Sequence, residues 1–220
     1  MTATNIIPFP RQPAREPVSF SLGVRYDLRV GAPASGVVRP LGEDATSYSG
    51  LARVLRAARM TWRTRSACGQ LTLVVPEGIH QTMDAETLDA AVIEAGCARR
   101  TLTFEFLESE IVSYGPELAI ALRARGWGVA LNGDPDCPLP FGSKARGLYT
   151  ELVLDAPDMT NPFLGLDPRD RSPIGRRLLA AKEAGMAITA EHVRSQAQAR
   201  LLAMAGFDRG SGAFADPLRA

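Results

Sequence analysis

The 220-residue chain has almost no lysine: Lys144 and Lys182 are the only two among 25 basic residues, an arginine bias that reads as genome composition rather than chemistry. Its three cysteines, Cys68, Cys97 and Cys137, are odd in number and scattered, with no C-x-x-C, so neither a disulfide framework nor a zinc knuckle is suggested. No sign of charge dominates. Twenty-five basic residues against 24 acidic leave +1, which argues against non-specific binding to nucleic acid or an anionic membrane. No apolar run approaches the ~18 residues of a membrane span and no apolar signal segment opens the chain. The expectation is a cytoplasmic protein with no membrane insertion. Neither G-x-G-x-x-G nor G-x-x-x-x-G-K-[ST] occurs to mark a nucleotide-binding turn.

What is present is an ordinary globular balance, 45% apolar and 22% charged, enough for one large domain. Residues 1–17 hold four of the sixteen prolines without periodicity and read as a flexible tail, with Ile6-Ile7-Pro8-Phe9 the one apolar patch that suits a docking peptide. Residues 18–220 then alternate short apolar runs with amphipathic ones. Strands are predicted at 19–29, 36–41, 71–76, 101–107, 127–132, 148–154, 186–190 and 211–215. A helix at about 47–64 gathers Leu51, Val54, Leu55, Ala58 and Trp62 on one face. Asp84 caps a helix ending at Gly96, Pro116 opens one ending at Gly126, and Ser172-Pro173 opens one ending at Gly185. Ser195-x-x-Gln198 forms a capping box for a last helix ending at Gly206. The Pro-rich segment 132–147 is predicted as loop. Eight strands alternating with helices suggest a single α/β domain, most simply a (β/α)8 TIM-like barrel, although a doubly wound sheet has the same periodicity.

Three stretches carry a family resemblance: LTFEFLES at 102–109, the run from GWGVALNGD to TELVLD at 126–155, and GMAITAEHVRSQAQARLLAMAGFDRGSGAFADPL at 185–218. In order and register they resemble the "LxLEITES", "GVxIALDDFGTG…LKID" and "GLKVVAEGVET…QGYxFxxPL" segments of the EAL-domain family, the cyclic-di-GMP phosphodiesterases of bacterial signalling. With weaker matches at 26–43 and 71–80 the resemblance spans roughly residues 19–220. It implies a (β/α)8 barrel whose atypical first strand is antiparallel to its neighbours.

The resemblance also implies two-metal phosphodiester hydrolysis, in which carboxylates and an amide converge on a pair of hard cations. By the aligned motifs the metal-binding Glu of Glu-Ala-Leu falls on Val38, the phosphate-gripping Arg on Gly42 and the Asn of "NLS" on Val74. The paired Asp residues fall on Asn132 and Gly133, the catalytic Lys on Val153, the late Gln on Ser211 and an early Gln near Gly23. Glu105 and Glu191 remain as metal-centre acids, and Glu108 and Asp155 persist beside them. Two carboxylates and one amide cannot hold two cations, and without the Lys no group stabilises the leaving oxygen. The expectation is no phosphodiesterase activity, no metal or other cofactor, and a pocket floor made apolar by valine.

The other signals divide between bland and sharp readings. His192 is a general-base candidate by position, but no nucleophile or second histidine accompanies it. Arg53, Arg56, Arg59 and Arg63 read as a solvated helix face, or as a docking site for an acidic partner. In the 132–147 loop Leu139 and Phe141 suit either a partner contact or a plug for the emptied pocket. The leading expectation is a non-catalytic EAL-like regulator or scaffold that binds another protein, in flagellar motility or biofilm control, with homodimerisation left open. The alternative is a cyclic-di-GMP receptor that binds without hydrolysis, using Arg39 and Arg194 at the mouth. A third, a new enzyme in the old barrel, lacks a supporting constellation.

Overall fold

The computed structural model describes residues 18–133, 147–156 and 172–215. The predicted tail at 1–17 and the loop residues Leu139 and Phe141 lie outside the described residues. Eight strands run β1 Ser19–Asp27, β2 Pro33–Leu41, β3 Leu71–Val74, β4 Leu102–Leu107, β5 Gly128–Gly133, β6 Glu151–Asp155, β7 Ala187–Glu191 and β8 Arg209–Gly210. They close in chain order into a barrel, parallel from β2 to β8, with β1 antiparallel to both β2 and β8. Both the barrel and its reversed first strand are therefore as expected.

The helices α1 Tyr48–Arg65, α2 Ile79–Thr82, α3 Ala85–Glu94, α4 Glu108–Tyr114, α5 Glu117–Ala124, α6 Pro173–Glu183 and α7 Gln196–Ala205 follow the strands. Four of the seven start on a short oxygen-bearing side chain. Ser47, Asp84, Ser172 and Ser195 each accept a hydrogen bond from the backbone N–H three residues on. Gln198 completes the last cap differently from a capping box, its Oε1 accepting from Arg194 N at 2.8 Å. On α1, Leu51, Val54, Leu55, Ala58 and Trp62 are buried against the sheet as the periodicity requires. Arg56 and Arg59 on the opposite side are not merely solvated. They reach the α3 C-terminus, where Arg56 Nη2 donates to the Glu94 carbonyl at 3.2 Å and Arg59 Nη1 to the Gly96 carbonyl, meeting orphan acceptors at the negative end of that helix.

Side chains alternate between two compartments. A Cβ at Gly36 would press on Trp62 of α1, so Gly36 and Val38 face the outer, apolar layer. The intervening Ser35, Val37 and Arg39 face the barrel interior. The outer layer is a continuous core that includes Leu55, Trp62, Leu88, Phe104, Leu122 and Trp127, with Phe104 and Trp127 packed edge to face at 5.6 Å.

The sequence pattern departs from the structure at the last strand. It predicts 211–215, whereas pairing stops at Gly210 and Ala213–Ala215 form a 3-10 turn. The cause is backbone: Gly212 takes φ 139° to lay its Cα against the Val193 peptide, which no extended strand does. Helices α2 and α4 are too short for the periodicity to register.

Candidate functional site

Acids sit on inward positions of three largely apolar strands: Glu105 in LTFEFL, Glu151 in ELVLD and Glu191 in AITAE. Three carboxylates cannot stay charged in a closed barrel without counter-charge. That charge comes from β1. Arg25 is fully buried, with Nη2 2.6 Å from Glu105 Oε2 and 2.8 Å from Glu191 Oε1, and Nη1 3.5 Å from Glu151 Oε1. Two further arginines complete the cluster. Arg39 Nη2 lies 2.9 and 3.1 Å from the two oxygens of Glu191, and Arg209 Nη1 3.0 Å from Glu151 Oε2. Asn132 Nδ2 donates to Glu105 Oε1 at 2.7 Å, and Thr189 Oγ1 donates to Glu151. Three carboxylates thus meet three guanidinium groups drawn from β1, β2 and β8.

Electrostatically the acids part ways. Burial pushes the Glu105 carboxyl above its ordinary value, and the Asn132 and Arg25 contacts only partly offset this. Glu191 is also raised by burial, but Arg25 and Arg39 together outweigh it and hold the carboxyl below the usual range. For Arg25 burial opposes the charge, and the three surrounding carboxylates reverse that, so the guanidinium stays firmly protonated.

Above the cluster opens a cleft of about 650 Å³ at the mouth of the barrel. Val74 and Leu107 form apolar wall beside the β1 segment Leu22–Val24, while Arg39, Asn132, Glu191, His192 and Ser211 bring polar groups to it. Arg39 lies along Gly23, where a Cβ would come within 3.8 Å of its Nη1. The expected apolar floor is thus overturned: Val153 is buried within, but the floor carries the Arg25–Glu105–Glu191 ion cluster. Val38 faces the outer layer, so the β2 side chain at the mouth is its neighbour Arg39.

The remaining sequence candidates are dispersed. Glu108 points behind the barrel wall, paired with Arg177 of α6 at 2.6 Å, both buried. A Cβ at Gly133 would overlap both members of that pair, so a side chain at the place where an aspartate was expected would have to displace this buried ion pair. Asp155 and His192 meet at the rim, His192 Nδ1 2.6 Å from Asp155 Oδ1, with both side chains more than 70% exposed. His192 has φ 57°, the only positive φ outside glycine among the described residues, at a position where the family motif has Gly. Arg194 is exposed and does not line the cleft.

Arg25, Glu151 and Arg209 were not among the residues the sequence singled out. One signal was available, since Glu105, Glu151 and Glu191 in three largely apolar strands demand buried counter-charges, and Arg25 in FSLGVRYD is flanked by Val24 and Tyr26.

A divalent metal pair does not fit this arrangement. Glu105 and Glu191 already hold a guanidinium between them, and any ion there would meet its charge at contact distance. Among the described residues no group of three His, Cys, Asp or Glu side chains is disposed to hold a metal ion.

No family model and no curated protein sequence matches the chain. Solved structures do. The Klebsiella pneumoniae protein BlrP1 in a calcium and cyclic-di-GMP complex superposes with a TM-score of 0.63 at 17% identity, over 90% of this chain and 54% of that one. This chain therefore spans about half the length of that protein. The EAL domain of Mycobacterium smegmatis DcpA gives 0.58 at 24% identity, over 89% and 90% of the two chains. A standalone EAL protein of Vibrio cholerae in its cyclic-di-GMP-bound form gives 0.57 at 16%, over 90% and 91%. At these identities the likeness is one of architecture, and the chain has the closed (β/α)8 barrel fold of the solved EAL domains.

Proposed function

We propose that this chain is a non-hydrolytic EAL-fold protein of cyclic-di-GMP signalling that acts by binding another protein, as a regulator or scaffold in flagellar motility or biofilm control. The observation that carries the reading is Arg25 bridging Glu105 and Glu191 inside the barrel. Hydrolysis in this fold calls for cation-bound water, and the acids that would recruit the cation are already neutralised by the chain itself. The absence of a lysine at Val153 and of acids at Asn132 and Gly133 supports the same reading. Likeness to structures that hold cyclic di-GMP supports the signalling context.

The test is direct. Purified chain incubated with cyclic di-GMP and magnesium or manganese is expected to give no linear product by chromatography, and turnover above a no-protein control overturns the reading. A partner that re-forms a stoichiometric complex with the chain from purified components supports the binding role.

One observation favours a second reading, a receptor that binds cyclic di-GMP intact. Arg39 stands in the cleft wall with its side chain 40% exposed, able to turn from Glu191 to a phosphate. Calorimetric titration separates the two. Silence is expected from the leading reading, whereas micromolar one-site binding that Arg39→Ala abolishes makes the chain a receptor.

A further inference from the structure

Arginine ordinarily engages carboxylates through its planar fork, two parallel N–H groups to two oxygens. Arg25 does not. A single nitrogen, Nη2, takes both Glu105 Oε2 at 2.6 Å and Glu191 Oε1 at 2.8 Å. Nε and Nη1 have no hydrogen-bond partner although they are fully buried, Nη1 being 3.5 Å from Glu151 Oε1. The cluster therefore treats the guanidinium as a point charge. It offers oxygens converging on one spot rather than a flat acceptor edge. Calcium accepts carboxylate oxygens at about 2.3–2.6 Å, so an ion at the Nη2 position would need only a small approach of the two acids.

We propose that Arg25 is a built-in replacement for a bound divalent cation, its Nη2 occupying a cation site formed by Glu105 and Glu191 with Asn132 alongside. Asn132 now donates its amide N–H to Glu105 Oε1, and rotation of that amide would present an oxygen instead. Glu191 and Asn132 border the cleft, so water can fill the remaining coordination positions. With its own cation tethered to β1, the barrel keeps its charge balance whatever the supply of divalent ions. The proposal rests on the same Arg25 bridge as the proposed function and adds that the guanidinium stands in for a cation.

The full chain and its Arg25→Met variant are titrated with manganese and with calcium, by calorimetry and by thermal unfolding. The wild type is expected to show no uptake and no shift of Tm. Arg25→Met melts lower, takes up one cation, and recovers by roughly 3–6 °C at ten times its Kd. Adding Glu105→Gln to that variant abolishes the uptake. Cation uptake by the wild type, or a folded Arg25→Met that takes up none, overturns the proposal. Should Arg25→Met not fold, Arg25→Lys decides. A compact ammonium that retains most of the wild-type Tm supports the point-charge site, and a lysine variant that fails as methionine does overturns it. Metal-dependent turnover by the wild type would remove the proposed function as well, whereas an inert wild type with no uptake by a folded variant removes only the surrogate cation.

Discussion

When one partner is removed from a buried ion cluster, the charges left behind remain desolvated, so the loss exceeds what the pairing contributed. Arg25 is the shared partner of three buried carboxylates. Arg25→Met is expected to lower stability by about 3–5 kcal/mol in urea unfolding without added metal, and a change below 1 kcal/mol would mean that Arg39 and Arg209 balance the acids unaided. Gly133 poses a different problem at the same scale. Its φ does not require glycine, but a Cβ there would overlap both Arg177 Nη2 and Glu108 Oε2. Both groups are buried and paired, so neither can swing into water. Gly133→Ala is expected to cost about 1–3 kcal/mol by overpacking, read as a lower urea midpoint with unchanged slope.

At the scale of elements, the turn leaving β7 is set by one residue in the left-handed region. His192 holds φ 57° and pairs with Asp155 across the rim. An exposed pair of this kind contributes at most about 1 kcal/mol, while the backbone conformation penalises branched side chains heavily. His192→Gly is therefore expected to alter stability by less than about 0.5 kcal/mol, and His192→Val to lower it by about 1–2 kcal/mol. Equal losses in the two variants would assign the residue's value to the Asp155 contact instead. This position also marks how far elements are legible in sequence. The helix caps at Ser47, Asp84, Ser172 and Ser195 involve only neighbouring residues, and the strands β1 to β7 stand out as short apolar runs, several buried on both faces; these are readable. Strand β8 is not, because its two paired residues are fixed by β1 and β7 rather than by their own pattern. The site divides in the same way. Glu105, Asn132 and Glu191 are found by motif position, but Arg25 reads locally as one polar residue in a strand, and only closure of the barrel turns its face inward.

For the molecule as a whole, closure depends on a narrow seam. Strands β1 and β8 share the pairs Tyr26–Gly210 and Asp27–Arg209, extended by a Leu28 N–Asp208 O hydrogen bond, and the ion cluster ties both strands to β4, β6 and β7. Two of its acids, Glu191 and Glu105, then impose a pH dependence of opposite sign. Glu191 is held below the ordinary carboxylate value of 4.5, so the unfolded chain binds more protons between the folded value and 4.5, and stability from this group is lost as pH falls through that window. Glu105 is raised above 4.5, so the folded chain binds more protons just above 4.5, and stability from this group declines as pH rises through that window. Together they place a local maximum of stability near 4.5, superimposed on whatever other groups contribute. Urea unfolding repeated across this range resolves the two slopes. Glu191→Gln is expected to flatten the acid side and leave the fall above 4.5, while Glu105→Gln flattens the upper side and leaves the acid loss. If both variants flatten the same side, the two carboxyls titrate as one group through Arg25 and the opposite displacement of their protonation is wrong.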